Sequence, residues 1–247
     1  MTRLIIICLI TIAAIVIIFI HPPIAQDTSY HLFADHNQIF TIDNFWNVIS
    51  NLGFLIVGSL GLIITRKIPS QSQLTKTKFL YMFFFIGVFL TGLGSAYYHL
   101  QPNNITLVWD RIPMTIIFIS FFSLVLCNYI SLSFGKYTFP PFLIIGISSV
   151  LYWYITELEG AGDLRLYVLV QFLPIVLMPF LLLKNNSTYL KQKYIWFTVL
   201  FYLLGKIPEI LDKQIFEYLH IIGGHPIKHI LAASATFMIV ISLKKDI

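Results

Sequence analysis

The apolar residues of this chain come in runs of about 20, the length a helix needs to cross the hydrocarbon core of a bilayer. Eight such runs are read, at roughly 4–20, 45–65, 78–99, 107–132, 139–156, 164–183, 194–211 and 219–243. Polar turn-forming stretches separate them, such as Pro69-Ser-Gln-Ser72, Gln101-Pro-Asn-Asn104 and Lys184-Asn-Asn-Ser187. The pattern predicts an all-α membrane protein. A bundle of seven transmembrane helices occupies residues 25–247, and an N-terminal hydrophobic segment occupies residues 1–24. Arg3, the apolar run after it and Pro23-Ile-Ala-Gln26 have the form of a signal peptide. The Ile-rich run 4–20 is long for a signal core, which favours an uncleaved anchor. Cleavage would leave seven spans with the amino end outside. No internal repeat or low-complexity tract stands out.

Composition agrees with a life in lipid. Hydrophobic residues make up 57% of the 247 and charged residues 11%, where a soluble domain carries about 25% charged residues. Prolines are scattered through the apolar runs, which a bundle tolerates because neighbouring helices satisfy the freed backbone groups. The net charge of +5 does not point to nucleic acid, because the basic residues sit in short loops. Arg66, Lys67, Lys76 and Lys78 fill the second loop, Lys136 the fourth, and Lys184, Lys191 and Lys193 the sixth. The alternate loops hold Asp27, Asp35, Asp43, Glu157, Glu159 and Asp163. The positive-inside rule then places both termini in the cytoplasm if the first segment is retained. Cys8 and Cys127 lie inside apolar runs and give neither a disulfide framework nor a Cys-rich zinc motif. A metal here must use His and carboxylate.

With that topology all seven histidines fall on the extracytoplasmic side. A titratable ring prefers interfaces, which accounts for His21, His31 and His36. It does not account for His99, Asp110 and His229, which lie at least partly in apolar runs, where ionisable groups are costly and usually functional. Ser95 and His99 are four apart, and so are His225 and His229, so each pair shares a helix face. Two His at that spacing can grip one metal ion, with a third ligand arriving from another helix. Three neutral imidazoles leave one tetrahedral position for water, the arrangement of catalytic zinc. The alternative is a set of histidines hydrogen-bonded between helices. Pro226 disfavours a helical His225 but suits a first helical position. Gly223-Gly-His-Pro226 therefore reads as a helix entry with His225 at the cap.

Other polar groups have plainer readings. Asn44, Asn47, Ser50 and Asn51 share a face at the start of the second span and either tie helices together or line a site. Arg111 neutralises a carboxylate or snorkels to the interface. Lys206, Glu209 and Asp212 close the seventh span, with a buried Lys–Glu pair. Glu157 and Glu159 read as a solvated loop.

The segments Asn44-Phe-Trp-Asn-Val-Ile-Ser-Asn51, Gly92-Leu-Gly-Ser-Ala-Tyr-Tyr-His99, Asp110-Arg-Ile-Pro-Met114 and His225-Pro-Ile-Lys-His229 together resemble the alkaline ceramidases. These belong to a wider superfamily of seven-span membrane hydrolases that also contains the adiponectin receptors. The resemblance covers about residues 35 to 243. It implies zinc on His99, His225 and His229, with Ser95 and Asp110 as catalytic groups beside it. Asn47, Ser50, Asn51 and Arg111 are candidates for the surrounding shell. The implied activity is hydrolysis of the amide of ceramide, or a related lipid amide, to a fatty acid and a sphingoid base. The partners would be that lipid and the membrane, not nucleic acid. Two departures stand out. Alkaline ceramidases read Asp-Glu-Leu-Pro-Met where this chain has Arg111. Asn44 replaces an acidic calcium ligand, and Asp35-His-Asn-Gln38 is short and weakly acidic, which makes calcium doubtful. Two rival readings remain: a zinc-containing lipid receptor or binding protein without turnover, and a proton-coupled transporter using His and Asp as a relay.

Overall fold

A computed structural model describes residues 2–183 and 190–247. The helices are α1 (Thr2–Ile20), α2 (Phe45–Ile49), α3 (Leu52–Arg66), α4 (Lys78–Leu100), α5 (Asn104–Tyr129), α6 (Leu132–Leu158), α7 (Arg165–Leu181), α8 (Gln192–Ile210), α9 (Asp212–Leu219) and α10 (Gly224–Asp246). No strand forms among the described residues; one isolated bridge joins Ile39 and Ile42. Six helical segments are long and apolar enough to cross a membrane, or seven if α8 and α9, bent by 70° at Leu211, make one broken span. At 17 residues α7 is shorter than these. The expected run at 139–156 begins earlier, at Leu132, because Ser131 accepts the Phe134 N–H at 3.1 Å and caps the helix ahead of Pro140 and Pro141. The Lys184–Ser187 connection lies outside the described residues.

The bundle is held by α4 on α5 and α3, α10 on α8 and α3, and α6 on α5. Its core is built from large apolar side chains such as Leu80, Tyr81, Phe85, Val88, Leu124 and Leu243, all buried. The α1 helix packs on α7 and is otherwise exposed. Arg3 donates to the carbonyls of Tyr129 (2.7 Å) and Leu181 (3.3 Å) at one end of α1. At the other end Arg165 donates to the carbonyl of His21 at 2.8 Å. The same guanidinium holds the Asp163 carboxyl below the usual carboxylate range. Glu157 is not loop: it ends α6 half-buried, accepting from the Trp153 indole at 3.0 Å and the Gln26 backbone at 2.5 Å. That contact docks the segment 21–44 across this end of the bundle.

Two local devices shape that end. The α4–α5 turn is closed by a capping box, in which the Asn103 side chain accepts the Thr106 N–H and the Thr106 hydroxyl accepts the Asn103 N–H. The two helices therefore double back, and the end of α4 lies beside the start of α5. Pro113 has no N–H for the Trp109 carbonyl four residues earlier. That carbonyl faces Gly94 of α4, where any Cβ would overlap it. Glycine at 94 thus allows the close helix approach that sets Ser95 against Asp110.

Candidate metal centre

Two helices deliver three imidazoles to one point. His99 sits in the last turn of α4, and His225 and His229 lie in the first two turns of α10. All three are at most 5% exposed. One ring nitrogen from each lies within 4.8 Å of the others, and among the described residues this is the single group of three or more His, Cys, Asp or Glu that meets in this way. The Nε2 atoms of His99 and His229 are 3.2 Å apart. His99 Nδ1 is buried with no partner.

The entry of α10 differs from the sequence expectation. Gly223, not His225, is the cap, and His225 stands inside the first turn. The His225 N–H, otherwise an orphan of the helix start, donates to Asp212 Oδ1 at 2.8 Å. Pro226 falls two positions later than expected, still in the first turn, where a missing N–H costs no hydrogen bond. Asp212 Oδ2 accepts from the Ala34 backbone at 2.9 Å, so one carboxylate ties the 21–44 segment to α10. Asp212 therefore serves the helix entry and stands apart from the Lys206–Glu209 pair.

The start of the second span supports the triad. The Ser50 hydroxyl lies 2.7 Å from His229 Nδ1 and donates to the Asn47 carbonyl at 3.2 Å. The hydroxyl proton is thereby used, so Nδ1 carries the ring proton and donates to Ser50. Nε2 is left as the acceptor that faces the other rings. The Asn51 amide also donates to the Asn47 carbonyl, at 2.8 Å. Asn44 donates to the His99 carbonyl at 2.8 Å, satisfying an orphan at the end of α4. The Asn47 amide donates to the Asp35 carbonyl at 2.8 Å. Burial pushes the Asp35 carboxyl up from its usual range, and its Oδ2 and Asn47 Oδ1 have no partner.

A cavity of about 340 Å³ opens beside the triad, within the range of small-molecule sites. His229, Ser95 and Asp110 line its polar part, and Phe84, Met114, Phe118, Phe121, Ile175 and Val199 are among its apolar walls. Ser95 and Asp110 are 2% and 8% exposed and stand side by side on the cavity wall. Asp110 is not one of the side chains that meet with the three rings. Arg111 forms no ion pair within 4.0 Å among the described residues and is 6% exposed, so it neither pairs with Asp110 nor reaches outward.

Sequence reasoning passed over two contributors. Phe33 leans against the triad at a tilt, its ring centroid 4.6 Å from His99 and 4.8 Å from His225 with the planes inclined by 57° and 59°. Lys228 Nζ lies 2.8 Å from His225 Nε2 and 3.2 Å from Glu209 Oε1. Glu209 also accepts from Lys206 at 2.7 Å, so the expected pair is a three-membered cluster on the cavity wall. Lys228 was visible inside His225-Pro-Ile-Lys-His229, one position before a candidate ligand. Phe33 gave no signal among so many aromatics.

Compared with the curated proteins, the chain finds no match. The sequence profile described as Ceramidase matches residues 34–244, which takes in all four motif segments and every helix from α2 to α9. With that match extending over most of its length, this membrane-helical chain belongs to the ceramidase family.

Proposed function

We propose that the protein is a zinc-dependent intramembrane hydrolase cleaving the amide bond of ceramide or a related lipid amide. The observation that carries this is the convergence of three buried imidazoles at the wall of an apolar cavity shared with Ser95 and Asp110. The donor set suits zinc. Two imidazole nitrogens bound tetrahedrally at about 2.0–2.1 Å stand roughly 3.3 Å apart, and His99 and His229 already present Nε2 atoms at 3.2 Å. The unpartnered Nδ1 of His99 marks a ring not satisfied by protein hydrogen bonds alone. Zinc held there supplies Lewis acidity toward the amide carbonyl and lowers the pKa of water to about 7.

The chain's own groups supply the rest. Asp110 takes the proton from the attacking water and returns it to the leaving nitrogen, help worth about 100- to 10,000-fold. Water adds to the carbonyl carbon, the C–N bond breaks, and the products are a fatty acid and an amine such as a sphingoid base. Ser95, with a single hydroxyl proton to give, donates it to oxygen at the reacting carbon. Ser50 and the Asn47 carbonyl fix the His229 tautomer, and Phe33 keeps bulk water off the rings. Because Asp110 stands apart from the ring cluster, the fourth position stays open, which favours an enzyme over a receptor with a structural pin.

Purified protein given a panel of ceramides and related amides should release fatty acid and amine in equal amounts. The release should stop on chelation and return with zinc. Absence of product from every lipid amide and ester would sink the reading. The loop charges favour cytoplasmic termini and an extracytoplasmic site. An impermeant thiol reagent applied outside should then label a cysteine placed at position 160 and spare one at 72; the reverse would invert the topology.

A further inference from the structure

We propose that Arg111 is the anchor for an anionic headgroup, so that the lipid amide taken by this site carries an oxyanion at its polar end, as an N-acyl amino acid does. This deepens the hydrolase reading and rests on it. The guanidinium is 6% exposed and lines the same cavity as Ser95, Asp110 and His229. Its Nη2 donates to Gln26 Oε1 at 2.6 Å, and its Nη1 has no partner. No carboxylate lies within ion-pair reach of it among the described residues. It is surrounded instead by rings, with Cζ 4.1 Å from the centroid of Trp153, 4.9 Å from Tyr167 and 5.9 Å from Tyr30.

Aromatic faces attract a guanidinium, but they do not cancel a buried charge, and a charge at membrane depth without a counter-ion is a functional position by default. No carboxylate on the wall pairs with it directly. Glu209 is engaged by both Lys206 and Lys228, and Asp110, the adjacent residue, acts on Arg111 only through space, with no ion pair formed and Nη1 left without an acceptor. The cavity thus presents three cations, Arg111, Lys206 and Lys228, against two carboxylates. A neutral head would leave that excess uncompensated. A carboxylate supplies both the missing charge and an acceptor for Nη1, and guanidinium is the side chain best shaped for it. Hydrolysis of such a lipid breaks the amide C–N bond, adds the elements of water, and yields a fatty acid and an amino acid.

The test compares lipids of one acyl chain: N-oleoyl glycine, the neutral N-oleoyl ethanolamine and the sulfonate N-oleoyl taurine, with C18:1 ceramide and its 1-phosphate as further arms. Binding is measured on purified, zinc-loaded Asp110→Asn protein, with product checked in the same samples by mass spectrometry. N-oleoyl glycine should bind at least 10-fold more tightly than N-oleoyl ethanolamine. Arg111→Gln should bring the two to parity, and Arg111→Lys should keep part of the preference. Tighter binding of the taurine or phosphate lipid would still support an anion site and reassign the oxyanion. Equal binding of the glycine and ethanolamine lipids by Arg111-containing protein would overturn the proposal without needing any Arg111 variant. So would a preference that survives in Arg111→Gln. An anion preference without turnover by the wild type would keep this inference and remove the hydrolase; turnover of neutral ceramide without such a preference would do the opposite.

Discussion

Replacing Asp110 with Asn is expected to slow lipid-amide hydrolysis about 100-fold or more while leaving the fold and the metal content intact. The amide keeps the size and shape of the carboxylate, but it cannot accept a proton at neutral pH. Asp110 lines the cavity beside Ser95 and lies outside the ring cluster, so its loss should register in turnover and not in metal binding. Steady-state kinetics with metal analysis on the same preparation checks both. Ser95→Ala should lose less, since one charge-assisted hydrogen bond contributes about 1.5–3 kcal/mol. Wild-type turnover in Asp110→Asn would exclude this carboxylate as the base. Loss of zinc in the same variant would make it a ligand and move the site toward a closed, structural one.

The second large effect is on the metal. Purified protein should carry about one zinc per chain, and His229→Ala should lose most of it, because two imidazoles hold zinc weakly. His229 is the ring with the clearest support, from Ser50 at 2.7 Å. Ser50→Ala should therefore weaken zinc by about 10- to 100-fold without removing a ligand. A chelator competition on the three proteins gives the order wild type, Ser50→Ala, His229→Ala. Full zinc retention after replacing His99, His225 and His229 together would end the site as drawn.

Much of this was legible in the chain for reasons that can be stated. Spans show in sequence because lipid forces each backbone polar group to be satisfied within its own helix, so length and apolarity suffice to find them. The three histidines showed because an ionisable ring in an apolar run has few cheap explanations. The i,i+4 spacing of Ser95 with His99 is a local fact of helix geometry and needs no tertiary information. Where the expectation slipped, it slipped at ends: His225 moved from cap to first turn because Asp212, a residue on another helix, satisfies its N–H.

By itself, then, the sequence determined the class, the run of helices and the residue types able to hold a metal, because each of these depends on composition or on spacing within one helix. Tertiary structure alone decided which groups meet. The approach of Gly94 to the Trp109 carbonyl, the reach of Lys228 to Glu209 and the cover of Phe33 over the rings all join residues on different elements. So does the solitary charge of Arg111. Its place in the sequence suggested either a neutral pair with a carboxylate or a reach to the interface, and only packing shows it turned into an aromatic box with one donor unused. Pairing across helices depends on helix rotation and on the close contacts permitted at single glycines, and neither is written in the period of an apolar run.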